Sequence, residues 1–264
     1  MTIFEKVQLQ FNHVPFSVIS KKETAPQMGL IILETDLTIE TEFRSFLSQN
    51  ELSTNTISLL NTRIPCDDKV TSENLKMMEE RFSESLALFP KNYAFDVIGY
   101  GCTSASLLIG DEKITKLVKS KVITKNVTTP MSAIKRGLKA LGAKKIGYLA
   151  PYISEIAHKM CANLSSAGFE VKSAATFSED RDSIVGIITP SSILKAIESL
   201  INKEPHLDAI FVSCTSLKCA RIIPIAEEKF NLPVISSNSA LAWDMAKLSN
   251  ALVSKEKKGK LFTL

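Results

Sequence analysis

The sequence predicts an α/β fold of two pseudo-symmetric halves, each built on a parallel sheet, with the active site in the cleft between them. Three observations carry this. Short apolar, β-branched segments alternate with longer segments of helical period. Several of the short segments are continuous apolar runs, as expected of parallel strands covered on both faces. One strand-and-turn pattern is written twice, at Phe95–Ser106 and again at Leu207–Lys218.

Strands are predicted at Gly29–Glu34, Thr54–Leu60, Ala94–Tyr100, Lys145–Ala150, Glu170–Thr176, Ala209–Ser213 and Pro233–Ser236. Helices are predicted between them at Thr71–Leu88, Ser104–Ser120, Pro130–Leu141, Ile153–Ala167, Pro190–Asn202 and Cys219–Phe230. Pro130 and Pro190 suit first helical turns, where the missing N–H costs nothing. Gly142 and Gly168 suit C-terminal caps. Such alternation implies right-handed crossovers between parallel strands, a flavodoxin-like arrangement in each half.

The repeat is close. Phe95-Asp-Val-Ile-Gly-Tyr-Gly-Cys102-Thr-Ser is matched by Leu207-Asp-Ala-Ile-Phe-Val-Ser-Cys214-Thr-Ser, 112 residues later. Upstream, Gly29-Leu-Ile-Ile-Leu and Gly147-Tyr-Leu-Ala-Pro, 118 residues apart, both read as a first strand opening into a loop. The expected organisation is an N-terminal extension (1–26), a first half (27–127 completed by 231–250), a second half (128–230) and a basic tail (251–264). A last helix near Leu241–Leu248 crosses back to the first half. The extension offers an edge strand (Val7–Phe11, then Phe16–Ile19) or a surface for a partner.

Composition excludes several classes. The net charge of +4, from 32 basic and 28 acidic residues, is mild, and no dense basic block interleaved with aromatics argues for nucleic acid. Lys255–Lys260 reads as a solvated run. No apolar stretch reaches the ~18 residues of a membrane span. Residues 1–22 lack the pattern of a secretory signal, which predicts a cytoplasmic protein with reduced thiols. The five cysteines fit a disulfide framework poorly, and without a CxxC pair they do not suggest zinc. No nucleotide-binding glycine motif occurs, so no cofactor is expected. A homo-oligomer is only a base-rate expectation.

Cys102 and Cys214 are the candidate catalytic residues. In an open α/β sheet, ligands bind beyond the carboxyl ends of the strands. A cysteine there projects into the cleft. The Thr and Ser that follow are expected at a helix N-terminus, whose unpaired N–H groups bind anions and lower a thiol's pKa. Packing explains Cys66, Cys161 and Cys219 well enough, but it explains a duplicated strand-Cys-Thr-Ser poorly.

At these residues the chain resembles the aspartate/glutamate racemase superfamily, and within it the branch of maleate cis-trans isomerases and arylmalonate decarboxylases. The matching segments are Thr35-Asp-Leu-Thr-Ile-Glu40-Thr-Glu, Gly101-Cys-Thr-Ser-Ala-Ser, Leu149-Ala-Pro-Tyr152, Ser213-Cys-Thr-Ser and Pro233-Val-Ile-Ser-Ser-Asn-Ser-Ala-Leu-Ala-Trp243. The resemblance implies a cofactor-independent isomerase of a small carboxylic acid. Cys102 would be nucleophile or base and Cys214 the acid. Thr103, Ser104, Thr215 and Ser216 would hold a carboxylate, and Tyr152 would donate to a carboxylate or enolate oxygen. The related decarboxylases keep only the second cysteine.

The sequence departs from the branch at two asparagines. Asp36 stands at the first, and Asp180, Arg181 and Asp182 lie near the second. Arg181 is a candidate carboxylate ligand; the aspartates are candidates for an ammonium or amide. Glu40 and Glu42 suit a helix N-terminus. Asp96 and Asp208 read as structural turn residues, His158 as surface or packing, and Trp243 as core. Asn238 and Ser239 are expected at the cleft edge. The alternatives to cis-trans isomerisation are a two-base racemase, a decarboxylase-like lyase using Cys214 alone, and a non-catalytic binding protein.

Overall fold

The structure, a computed structural model, describes residues 11–18, 25–49, 56–69 and 71–264. The chain runs β1 (Gln27–Leu33), α1 (Ile39–Phe46), β2 (Ser58–Ile64), α2 (Ser72–Leu86), β3 (Ala94–Gly101), α3 (Thr103–Ile109), α4 (Asp111–Lys119), β4 (Ile123–Thr128) and α5 (Pro130–Ala140). It continues with β5 (Lys145–Ala150), α6 (Ser154–Ser166), β6 (Glu170–Thr176), α7 (Asp182–Val185), α8 (Pro190–Lys203), β7 (Ala209–Val212), α9 (Ile222–Phe230), β8 (Val234–Ser236) and α10 (Ser237–Leu248). A 3₁₀ turn at Lys260–Thr263 ends the chain.

Two four-stranded sheets result, ordered β2-β1-β3-β4 and β6-β5-β7-β8. Every paired strand is parallel. The repeat in the sequence is a repeat in register. Gly29 pairs with Ile98 in the first sheet and Gly147 with Ile210 in the second. A Cβ on Gly29 would lie 2.3 Å from Ile98 Cδ1, and one on Gly147 2.6 Å from Ile210 Cδ1, so a side chain at either position would displace the matching isoleucine. Asp96 accepts the Gln27 N–H at 2.9 Å where β1 starts. Asp208 accepts the Lys144 and Lys145 N–H groups at 2.9 and 2.7 Å where β5 starts.

The central strands are buried on both faces, as their apolar runs require. The edge strands departed from expectation. The strand expected at Thr54–Leu60 runs instead from Ser58 to Ile64, and Thr54 and Asn55 lie outside the described residues. β4 was not anticipated. Both are edge strands of the first sheet, and their polar residues (Asn61 and Arg63; Thr124, Lys125 and Asn126) break the apolar run. The helix expected over Ser104–Ser120 is two, because Gly110 turns at φ +89°.

Two assignments along the chain are corrected. β8 pairs with β7, so Val234–Ser236 belong to the second sheet and not with 231–250 in the first half. The run Lys255–Lys260 is not simply solvated. Lys258 is 4% exposed and donates to Ser48 O at 2.6 Å. Beyond it Leu261 and Phe262 are buried, with Phe262 stacked on Phe46 at 5.5 Å between centroids. Of the extension, residues 11–18 have no regular structure, and Phe11, Val14, Phe16 and Val18 are exposed; Val7–Gln10 and Ile19 lie outside the described residues.

α10 locks the halves. It starts at the end of β8 and packs on α5, α1 and β3. Asp244, 2% exposed, takes both Arg136 Nε and Nη2 at 2.6 Å, a bidentate pair that ties α10 to α5. The carboxyl ends of the two sheets thereby face one cavity. Among the described residues no helix is long and apolar enough to cross a membrane.

Candidate active site

The first cysteine turn follows the expected design. β3 ends at Gly101, and Cys102 is the N-cap of α3, in extended conformation (φ −143°, ψ 115°). Its sulfur accepts the Ala105 N–H at 3.4 Å and lies 3.6 Å from Ser104 Oγ. The second turn does not. Cys214 adopts φ +98°, a region that costs a non-glycine residue about 1–3 kcal/mol. Thr215 and Ser216 form a turn, and α9 begins only at Ile222. The helix expected directly after Cys214 is absent, and Glu42 reaches the segment just before the later one. Its Oε1 takes the free N–H groups of Cys219 and Ala220 at 2.5 and 2.6 Å. Glu42 therefore braces the second turn from α1, rather than serving only its own helix terminus.

The two turns are wired together. Ser237 Oγ accepts from Thr103 Oγ1 at 2.8 Å and from the Cys214 N–H at 3.1 Å. Thr215 Oγ1 donates to Gly101 O at 3.3 Å, and Thr38 Oγ1 to Ser216 O at 3.0 Å. Asn238 donates to Thr215 O at 2.8 Å and to Glu42 Oε2 at 3.0 Å. Asn238 and Ser239, expected at the cleft edge, are buried behind the second turn, where Ser239 completes the capping box of α10.

Cys102, Thr103, Ser104, Tyr152, Cys214, Thr215 and Ser216 line one cavity. Its volume is about 10 Å³, room for about one water. Tyr152 stands beside Cys214 and favours that thiolate, while its own phenol is held protonated far above its usual range by burial. Cys102 is pushed up to about 12, again mainly by burial; the Ala105 N–H and the Ser104 hydroxyl oppose this without cancelling it. Cys214 is raised by burial and next by Asp182. The helix terminus does not win over desolvation here, so in this closed state both sulfurs are thiols.

Two expected ligands stand elsewhere. Arg181 is half-exposed and its guanidinium is gripped by Glu179, with Nε–Oε1 and Nη2–Oε2 both at 2.8 Å, so it is not available to a substrate in the cavity. Asp36 is fully buried but does not line the cavity. Its Oδ1 caps α1 through the Thr38 and Ile39 N–H groups at 2.7 and 2.9 Å, and the carboxyl also faces the Thr215 hydroxyl. The buried carboxylate that lines the cavity is Asp182, 4% exposed, taking Thr35 Oγ1 at 3.0 Å and Ser216 Oγ at 3.2 Å. Burial, followed by Asp36, raises it to about 6 against those two hydroxyls.

The remaining lining residues escaped the sequence reading. Cys66, expected to pack, lines the cavity with Lys69 and Met78. The signal was the end of β2. Once that strand is placed to Ile64, Cys66 sits two residues beyond a strand end, on the same edge as Cys102. The cover joins the two halves. Asp68 accepts the Ser183 N–H and Oγ at 2.9 Å each, its carbonyl accepts the Asp182 N–H at 3.0 Å, and Lys69 bridges Arg181.

The arylmalonate decarboxylase family model matches residues 68–262, well over half of the chain. This protein belongs to the arylmalonate decarboxylase family. It is also similar to maleate isomerases, from Nocardia farcinica (26% identical, covering 89% of this chain and 94% of that one) and Geobacillus stearothermophilus (24%, 85% and 92%). Its fold matches a serine-for-cysteine variant of the Nocardia farcinica maleate cis-trans isomerase carrying a covalently bound succinylcysteine intermediate. That match has a TM-score of 0.81 at 23% identity and covers 90% of this chain and 98% of that one. The fold of two parallel-sheet halves is thus shared with that isomerase along nearly the whole chain.

Proposed function

We propose that this protein is a cysteine-dependent cis-trans isomerase of a small unsaturated carboxylic acid, of the maleate type, acting in the cytoplasm without a cofactor. One observation carries the reading: both cysteines of the repeat open onto a single cavity. A lyase that only protonates a carbanion needs one of them. Addition and elimination across a double bond need two, a nucleophile and an acid on opposite sides of the carbon pair. Two thiols that must stay free also suit a reducing compartment.

The cavity is too small for a four-carbon acid, so the cover across Asp68 and Ser183 opens first. Opening hydrates Cys102 and removes the burial that holds its thiol at about 12. Its proton leaves to water, and the thiolate enters the reaction. Cys102 Sγ then bonds to one alkene carbon, and the electron pair moves toward the carboxylate as an enediolate. Tyr152, kept protonated, donates to the developing oxygen charge. The Cys214 thiol protonates the neighbouring carbon. Rotation about the new single bond follows. The Cys214 thiolate recovers the proton, the C–S bond breaks, and the trans acid leaves.

Proton NMR in deuterated buffer tests this. Maleate and related cis acids are incubated with wild type, Cys102→Ser and Cys214→Ser. Trans product from wild type alone supports the reading. Turnover that survives Cys102→Ser but not Cys214→Ser transfers it to a lyase or decarboxylase. Deuterium exchange at a saturated carbon, with no isomerised alkene, transfers it to a racemase.

A further inference from the structure

The charge inside the cavity is lopsided. Besides the thiols and Tyr152, the buried ionisable group in its wall is Asp182. Lys69 and Asp67 also line it but are exposed, and Asp67 faces Arg81 at 3.8 Å. The donors given to Asp182 are two neutral hydroxyls, one to each oxygen. The carboxylates that bear on it, Asp36 and Asp68, carry its own sign.

An ionised carboxylate has about four lone-pair sites. Thr35 and Ser216 use two of those on Asp182. What remains is a pair of acceptors directed by a side chain whose geometry is fixed from both halves. A second substrate carboxylate placed there meets like charge in a desolvated site. A primary amide placed there supplies two N–H donors and no charge. α7 starts at Asp182, and the Asp182 N–H closes the cover by donating to Asp68 O at 3.0 Å.

We infer that Asp182 selects a substrate with a hydrogen-bond donor at its second end, so that the substrate class is the monoamide of a cis-unsaturated diacid rather than the diacid. This rests on the isomerase reading above. A site that rejects an analogue lacking its hydrogen-bonding partner does so strongly, because buried polar groups are left unpaired. The preference is therefore expected to exceed tenfold.

The test compares maleamate, the monoamide of maleic acid, with maleate at pH 8, in wild type and Asp182→Asn. Expected is a kcat/KM at least tenfold higher for maleamate in wild type, and a shift of at least tenfold toward maleate in Asp182→Asn. Wild type preferring maleate overturns the inference and needs no variant. A preference for maleamate that Asp182→Asn leaves unchanged, in a variant whose circular dichroism matches wild type, removes Asp182 from the role. Failure of the underlying reading looks different: neither compound isomerises or labels Cys102, or turnover survives Cys102→Ser. Either result overturns both claims.

Discussion

Thr103, the neighbour of one cavity cysteine, is joined to the other, Cys214, through a single hydroxyl: Ser237 Oγ accepts from Thr103 Oγ1 at 2.8 Å and from the Cys214 N–H at 3.1 Å. The link ties the two cysteine turns together at the point where Cys214 adopts φ +98°. Ser237→Ala removes the acceptor of both donors and leaves the Cys214 N–H unpaired. Stability is expected to fall by about 1–3 kcal/mol, and kcat by about tenfold or more, since small misplacements of reacting groups cost that much. Denaturant melts and steady-state kinetics on the same preparation check both.

Burial holds Cys102 at about 12. Below that value the thiolate fraction grows about tenfold per pH unit. The rate of iodoacetamide labelling at Cys102, followed by mass spectrometry without substrate, is expected to keep rising from pH 7 to 10. A plateau with a midpoint below pH 8 contradicts the closed, desolvated site.

The cover hangs on Asp68, whose carboxylate takes the Ser183 N–H and hydroxyl at 2.9 Å each. Asp68→Ala is expected to raise the labelling rate of Cys102 at pH 8 several-fold and to leave the melting temperature within a few degrees. An unchanged labelling rate means that substrate enters elsewhere.

Glu42 couples α1 to the second turn, and burial raises it from 4.5 to about 7. A raised carboxyl binds its proton more tightly in the folded state, so its contribution is full below 4.5 and is lost as pH rises through about 7. Glu42→Ala, which strips the Cys219, Ala220 and Asn238 donors of their partner, is expected to cost about 2–4 kcal/mol at pH 5 and less at pH 8. A cost that grows with pH contradicts this sign. Urea melts at both pH values decide.

Much of this was legible in the residues. The central strands are buried on both faces, so their apolar runs announced them, and the pairs Gly29–Ile98 and Gly147–Ile210 show that the repeat was real in three dimensions. Cys102, Cys214 and Tyr152 sit at strand ends, where chain order alone predicts the cleft. The edge strands β2 and β4 were missed or shifted because only one side of each is covered, and misplacing β2 hid Cys66. Asp36 and Arg181 were misjudged for a different reason. Short-range partners, the N–H groups of Thr38 and Ile39 for one and Glu179 for the other, claim them before any substrate does. Adjacency in sequence did not distinguish Arg181 from Asp182, whereas the fold directs one outward and the other inward.

The most direct test of the central claim is a covalent trap. Cys214→Ser is incubated with maleate and with maleamate, acid-quenched, and its Cys102 peptide is examined by mass spectrometry. The account predicts that a fraction of the Cys102 peptide carries the mass of one added substrate, in at least one of the two incubations, and that Cys102→Ser gives none. An unmodified Cys102 peptide under conditions where wild type isomerises the same compound would contradict it.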